Sequence, residues 1–212
     1  MDGLSLCMHK SRKLWFLFPP TDHNLKLMKI ELGQNAKLWR VGARMEGGVV
    51  CETTDKEAIY LPAGCIHAVF TLDGGFLVSL DFTTRDSVSV FGRYLAQDLH
   101  LAMDEESQRN CLFSYIESLE VALHNQRAVA AVESWLKLEP RLQRTATQDF
   151  DWCQTAKTCW VSFLDTTDAM GVVCPCGRVD TDVSFSDHMK ASHLRLIMTA
   201  CRAAPSRRRQ RR

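Results

Sequence analysis

Short apolar runs, separated by glycine and proline, mark the first part of the chain. The run from Leu14 to Phe18 is closed by Pro19-Pro20, and similar runs follow at 49–51, 58–61, 66–72 and 76–82. Runs of this length are typical of β-strands, and their regular spacing favours a barrel or sandwich over a parallel α/β sheet. The pattern therefore predicts a β region from Lys13 to Phe82.

The apolar period changes from Ser87 onward. Apolar residues then recur at steps of three and four, and this spacing predicts two or three amphipathic helices with breaks near 104–107 and at Asn125. We interpret the apolar stripe along each helix as a core contact with the barrel or with another helix. The residues of the first two stripes are Val88, Phe91, Leu95 and Leu99, then Leu112, Ile116, Leu119 and Leu123.

The rest of the chain divides by composition. The helical pattern ends at Pro140, a polar linker is predicted for 141–150, and residues 151–200 are rich in Cys, Trp and His. The end of the chain has no apolar periodicity, which predicts a basic tail without fixed structure. The predicted organisation is an α+β protein with a β region at 1–86, helices at 87–140, the linker, the Cys/His-rich segment at 151–200 and the tail at 201–212.

Charge and cysteine content indicate the cellular compartment of the protein. The formal net charge is +1, but the last eleven residues contain six arginines and no acidic residue, which leaves −5 for the rest of the chain. Nine cysteines occur without a signal peptide or a long apolar segment. This usage is typical of a reducing compartment, where cysteines are core residues or metal ligands. We expect a nuclear or cytoplasmic protein away from membranes, and the arginine tail favours the nucleus.

Two motifs carry a resemblance to a known family. Tyr60-Leu61-Pro62-Ala63-Gly64-Cys65-Ile66-His67 contains a P-x-G-x-x-H turn, and Lys13-Leu14-Trp15-Phe16-Leu17-Phe18-Pro19-Pro20 contains a K-x-W-x-x-x-P-P strand. In this order they resemble the C-terminal part of the JmjC-type cupins, which are Fe(II)- and 2-oxoglutarate-dependent oxygenases. The resemblance implies a partial double-stranded β-helix in which His67 is an iron ligand and Lys13 pairs with the distal carboxylate of 2-oxoglutarate. The reaction it implies is that of protein hydroxylases and histone demethylases.

The family's first two iron ligands form an H-x-D/E motif upstream of the lysine strand, and this motif has no counterpart here. Asp2 is the nearby carboxylate, and no histidine precedes it by two; His9 is followed at the second position by Ser11. A non-haem iron site needs two histidines and a carboxylate on one face of the metal. We therefore expect an incomplete iron site, an inactive chain, and exposed sheet edges and apolar faces that an oligomer or a partner protein covers.

A second metal-ligand pattern lies near the C-terminus. Cys174-Pro175-Cys176, followed by His188 and His193, gives C-x-C-x₁₁-H-x₄-H. Two thiolates on a turn and two imidazoles on a helix form the tetrahedral set of a C₂H₂ zinc site, although the usual spacing is C-x₂-C. Cys153 and Cys159 offer alternative ligands, and the open alternatives are a structural zinc ion or no metal.

The sequence leaves two main functions open, with direct nucleic-acid binding as a third. The first is a descendant of the oxygenases that keeps one iron ligand and the cosubstrate lysine. The second is a non-catalytic interaction module that a zinc ion stabilises. It binds a protein partner, and chromatin is one place where that partner could occur. The arginine tail is a nuclear-import signal, a nucleic-acid contact or a solvated tail.

Overall fold

The computed structural model describes residues 2–30, 37–97, 104–166, 174–177 and 183–200. Its strands are β1 (Asp2–Met8), β2 (Arg12–Phe18), β3 (Val49–Thr53), β4 (Ala58–Leu61), β5 (Ile66–Asp73) and β6 (Phe76–Phe82). Its α-helices are α1 (Asp22–Ile30), α2 (Lys37–Val41), α3 (Ser87–Ala96), α4 (Glu105–His124), α5 (Ala128–Gln148), α6 (Phe150–Thr166), α7 (Phe185–His188) and α8 (Arg195–Ala200). A 3₁₀ turn covers Gly42–Arg44 and a π-helical turn covers Met189–His193. The α+β class is confirmed.

The strands form two antiparallel sheets of three strands each. The first sheet has the order β4-β1-β6 and the second has the order β3-β2-β5. Successive strands β3 to β6 alternate between the two sheets. Cys7 on β1 contacts Thr53 on β3, with 3.3 Å from Sγ to Oγ1, so the sheets face each other at this point.

Buried polar contacts fix the sheets and the segment that follows them. Trp15 is fully buried on β2 and donates its indole N–H to Thr53 Oγ1 at 2.8 Å. Asp2 at the start of β1 is equally buried and accepts four hydrogen bonds, from Tyr60, Ala63, Thr84 and Ser87. A buried carboxylate is tolerated when its oxygens are satisfied in this way. Asp2 therefore ties β1 to the β4–β5 turn and to the start of α3.

The expected exposure of apolar surface is observed. Alternate residues of a strand share a face, and on one face of the first sheet they are apolar along all three strands except for Asp2 at the start of β1. Leu80 on the edge strand β6 is 58% exposed, and Tyr60 on β4 is 52% exposed. Monomeric proteins rarely expose contiguous apolar patches of this kind. The other large exposed side chains of this face are Met8, Phe76, Val78 and Phe82.

The chain divides into two compact units, Met1–Ala122 and Leu123–Arg212. The predicted breaks near 104–107 and Asn125 separate α3, α4 and α5 as expected. The predicted linker at 141–150 is wrong, because α5 continues through Pro140 to Gln148 and α6 begins at Phe150. Proline removes one helical hydrogen bond, but burial of Leu138, Leu142 and Ala146 on one face outweighs that loss.

The second unit has an aromatic core. Trp135 on α5 and Trp160 on α6 are fully buried and meet edge to face, with 5.2 Å between ring centroids. Trp152 is also fully buried, and α8 packs against both α5 and α6. None of the described helices combines the length and the apolar character that crossing a membrane requires. The basic tail predicted for 201–212 lies outside the described residues.

Candidate functional site

The structure places Lys13 and His67 on the same face of the second sheet. Lys13 pairs with Thr71 across β2 and β5, and His67 pairs with Leu17. Residues 13, 15 and 17 alternate along β2, so their side chains and those of their partners share one face. Trp15 lies between the two, with 6.3 Å from its ring centroid to that of His67.

The surroundings of these two side chains differ. Lys13 is 8% exposed, and its Nζ donates a hydrogen bond to Thr71 Oγ1 at 2.7 Å. A buried ammonium with a hydroxyl as its partner is only partly compensated for the loss of water. His67 is exposed, and its Nδ1 lies 3.0 Å from the carbonyl oxygen of Cys65.

No described residues complete an iron triad around His67. In the described part of the chain, no cluster of three or more metal-ligating side chains includes His67. Both carboxylate oxygens of Asp2 are occupied by donors, at 2.5 and 3.1 Å on Oδ1 and at 2.6 and 3.0 Å on Oδ2. Burial raises the pKa of Asp2, but its hydrogen bonds, that of Ser87 foremost, outweigh this and hold the pKa below its usual value. Asp2 is a structural carboxylate.

The C-x-C pair lies on a tight turn. The N–H of Gly177 donates to the carbonyl of Cys174 at 3.2 Å, which closes a four-residue turn with Pro175 in its second position. Proline presets the backbone angle that this position requires, and Gly177 has the positive φ of 79° that favours glycine. The turn therefore explains how a C-x-C spacing holds two thiols close together.

The two histidines are brought together by the π-helical turn. They are five residues apart, and in a regular α-helix their directions differ by about 140°. The N–H of Leu194 instead bonds to the carbonyl of Met189 at 2.9 Å, the five-residue hydrogen bond of a π turn. The rings of His188 and His193 meet edge to face with 5.2 Å between centroids. The H-x₄-H spacing thus suits a π turn.

The four predicted ligands converge. One ligand atom from each of Cys174, Cys176, His188 and His193 lies within 4.8 Å of the other three, and Cys176 Sγ is 3.3 Å from His188 Nε2. Ligands on a tetrahedral zinc ion lie about 3.3–3.8 Å apart, given bond lengths of about 2.0–2.3 Å. Closing the cluster around an ion would therefore take a contraction of about 1 Å at its widest pair.

The alternative ligands are not part of this cluster. Cys153 and Cys159 are buried on α6, and the thiol of Cys153 lies 3.8 Å from the carbonyl oxygen of Ile197. These two cysteines are core residues because α6 directs them between packed helices.

A carboxylate on α5 fixes the tautomer of His193. Glu139 Oε2 lies 2.8 Å from His193 Nδ1. An ionised carboxylate can only accept, so Nδ1 carries the proton, and in the neutral imidazole Nε2 then presents a lone pair. Nε2 is buried and has no hydrogen-bond partner. Sequence reasoning missed Glu139, because its distance along the chain from the Cys/His motif gives no signal.

The cluster of Cys174, Cys176, His188 and His193 is partly accessible to solvent. Burial raises the pKa of the Cys174 thiol, while the Cys176 side chain is half-buried. A cleft of about 480 Å³ lies beside the cluster and offers a route for an ion. Its lining residues are Glu133, Leu136, Lys137, Glu139, Pro175, Cys176 and His193.

Comparison with known proteins shows a similarity over part of the chain. Over 78 residues the chain is 37% identical to the JmjC domain-containing histone demethylation protein 1 of Kluyveromyces lactis. This match covers 36% of the chain and 16% of the relative's length. No protein-family model matches the chain. The similarity supports a JmjC-like family for the matched part of this protein.

Proposed function

We propose that the second compact unit is a zinc-stapled helical module. The observation that supports it is the convergence of two thiols and two imidazoles, one of which has a buried lone pair without a partner. Two sulfur and two nitrogen ligands form a closed tetrahedral set that zinc prefers, and a closed set leaves no position for a substrate. The ion would therefore be structural, and it would join the turn at 174–177 to the turn at 189–193.

The wider role we propose is that of a non-catalytic interaction module in a JmjC-like protein. The relative's name contains histone demethylation, which supports a nuclear setting with a protein partner, chromatin being one such setting. The exposed apolar face of the first sheet supports a protein partner as well, because such faces mark interaction sites. A nucleic-acid contact through the arginine tail would show steep salt dependence that deletion of residues 203–212 abolishes.

Metal analysis of the purified chain tests the zinc proposal. We expect one zinc ion per chain, lost in the Cys174→Ser variant and on chelation, with unfolding of the second unit at a lower denaturant concentration after loss. Cys159→Ser is the matched control, because Cys159 is a buried cysteine of the same unit that lies outside the cluster. A wild-type chain that elutes without zinc and gains no stability from added zinc would contradict the proposal.

A residual cosubstrate site is the second candidate function. Lys13 and His67 share a face of the second sheet, and the alternation of strands between two sheets agrees with a double-stranded β-helix. We infer that the chain by itself does not carry out the oxygenase reaction, since no described carboxylate joins His67. Incubation with Fe(II) and 2-oxoglutarate tests this. Stoichiometric iron binding together with release of succinate would overturn the inference.

A further inference from the structure

One face of α5 contacts His193 at two points. Residues 135, 139 and 143 are spaced by four, so they lie along one side of the helix. Trp135 donates its indole N–H to the backbone carbonyl of His193 at 3.3 Å, and Glu139 accepts from the ring of His193 at 2.8 Å. Gln143 in turn donates its amide N–H to Glu139 Oε1 at 2.6 Å.

These contacts restrict His193 in backbone position, ring orientation and tautomer. The indole of Trp135 is fully buried, so its bond to the carbonyl holds the backbone of the π turn. Both oxygens of Glu139 are engaged, one by Gln143 and one by His193, so the carboxylate has a fixed direction. Metal-bound histidines commonly have such a carboxylate on the second ring nitrogen, and it sets ring orientation and ligand basicity.

We propose that Glu139 is the positioning residue of the metal centre and that Gln143 holds Glu139 in place. The inference rests on the proposed zinc site and assigns to it a residue outside the Cys/His motif. Glu139 does not bind the ion: its hydrogen bond holds the Nε2 lone pair of His193 toward the other three ligands. The metal centre and α5 are thereby linked, so metal occupancy stabilises the packing of α5.

Zinc affinity of matched variants tests the role of Glu139. We expect Glu139→Gln, which keeps the shape and removes the charge, to weaken zinc binding about 10- to 100-fold in a chelator competition. Gln143→Leu should weaken zinc binding less, because Glu139 keeps its charge and loses only the hydrogen bond from Gln143. Glu133→Gln is the control, since it removes the same charge from the same helix and the same cleft, and its zinc affinity should equal that of the wild type.

A second measurement separates positioning from general stability. Glu139→Gln should lower the denaturant midpoint of the zinc-bound chain by more than it lowers that of the metal-free chain, because only the bound state also loses zinc affinity. The visible spectrum of the Co(II)-loaded chain should also change, because the basicity of one imidazole ligand changes. Equal losses of stability in both states, with an unchanged cobalt spectrum, would assign Glu139 a packing role and overturn the inference.

The outcomes for the two proposals are distinct. A wild-type chain that binds no zinc overturns the proposed function and this inference together. A wild-type chain that binds one zinc ion, with a Glu139→Gln variant that binds it equally tightly, leaves the zinc proposal standing and overturns the role of Glu139.

Discussion

The buried carboxylate of Asp2 gives the sharpest stability prediction. Replacement by asparagine keeps the shape and one acceptor oxygen, which can still serve Tyr60 and Ala63 on the Oδ1 side. On the other side an NH₂ group takes the place of Oδ2 and faces the two hydroxyls of Thr84 and Ser87, which donate to Asp2 at 3.0 and 2.6 Å. Two donors therefore lose their acceptor.

The magnitude follows from these two bonds. Hydrogen bonds to a charged group contribute roughly 1.5–3 kcal/mol each, and hydroxyls recover part of this by rotating to accept. We expect Asp2→Asn to lower the free energy of unfolding by about 2–4 kcal/mol at neutral pH. The matched control is Asp55→Asn, since Asp55 is exposed and accepts one backbone bond from Lys10; its loss should stay below about 0.5 kcal/mol.

The pH dependence has a defined sign. The folded pKa of Asp2 is depressed, since its hydrogen bonds outweigh the opposing effect of burial. The stabilisation is therefore fully present above the unfolded pKa of about 3.9 and is lost as the pH falls through the lower folded pKa. The difference between wild type and Asp2→Asn should be constant from pH 7 to about pH 5 and should shrink below about pH 4.

Urea unfolding followed by circular dichroism at several pH values measures this difference. The reasoning is refuted if Asp2→Asn matches the Asp55→Asn control at pH 7, or if the difference grows as the solution is acidified.

Three further predictions concern the sheets. Gly75→Ala should be destabilising by about 2 kcal/mol or more, because φ is +93° and the new Cβ would lie 2.4 Å from the carbonyl oxygen of Met8; Gly74→Ala, with open space around it, is the control for the same unfolding assay. Thr53→Val should lower the free energy of unfolding in urea by about 1–3 kcal/mol, because it leaves the buried indole N–H of Trp15 unpaired. A decrease no larger than that caused by Thr54→Val would contradict this. Leu80→Lys should reduce concentration-dependent association in sedimentation without lowering stability, and a wild-type chain that is monomeric at every concentration would refute it.

Strands were predictable where apolar runs and turn residues coincide. The runs at 58–61 and 76–82 match β4 and β6, and 66–72 lies within β5. The strand β1 was missed because Ser5, Cys7 and neighbouring polar residues conceal its alternation. Helix α1 was missed because its signal is short, and one of its side chains is held by a contact distant in sequence, that of Asn24 with Glu46.

The convergence of Cys174, Cys176, His188 and His193 was predictable because a motif records residue type and spacing. The contact of Glu139 with His193 could not be predicted from the sequence. Glu139 lies 54 residues before His193, and the sequence places it at the end of a predicted helix. Extending α5 past Pro140 is what continues the helix to Gln143. The same tertiary burial that overrides the proline therefore also places Gln143 where it holds the Glu139 carboxylate against His193.

His67 and His193, the histidines of the two candidate sites, differ in whether both of their ring nitrogens can find a hydrogen-bond partner. His67 is exposed, so water can satisfy whichever ring nitrogen has no protein partner. His193 has one nitrogen fixed by a carboxylate and the other buried without a partner, and a buried unsatisfied acceptor costs about 1–3 kcal/mol. A metal ion bound by Nε2 of His193 would remove that cost. A bound metal would therefore relieve an unsatisfied atom at the Cys/His cluster of the second unit, whereas the exposed ring of His67 has no such atom to relieve.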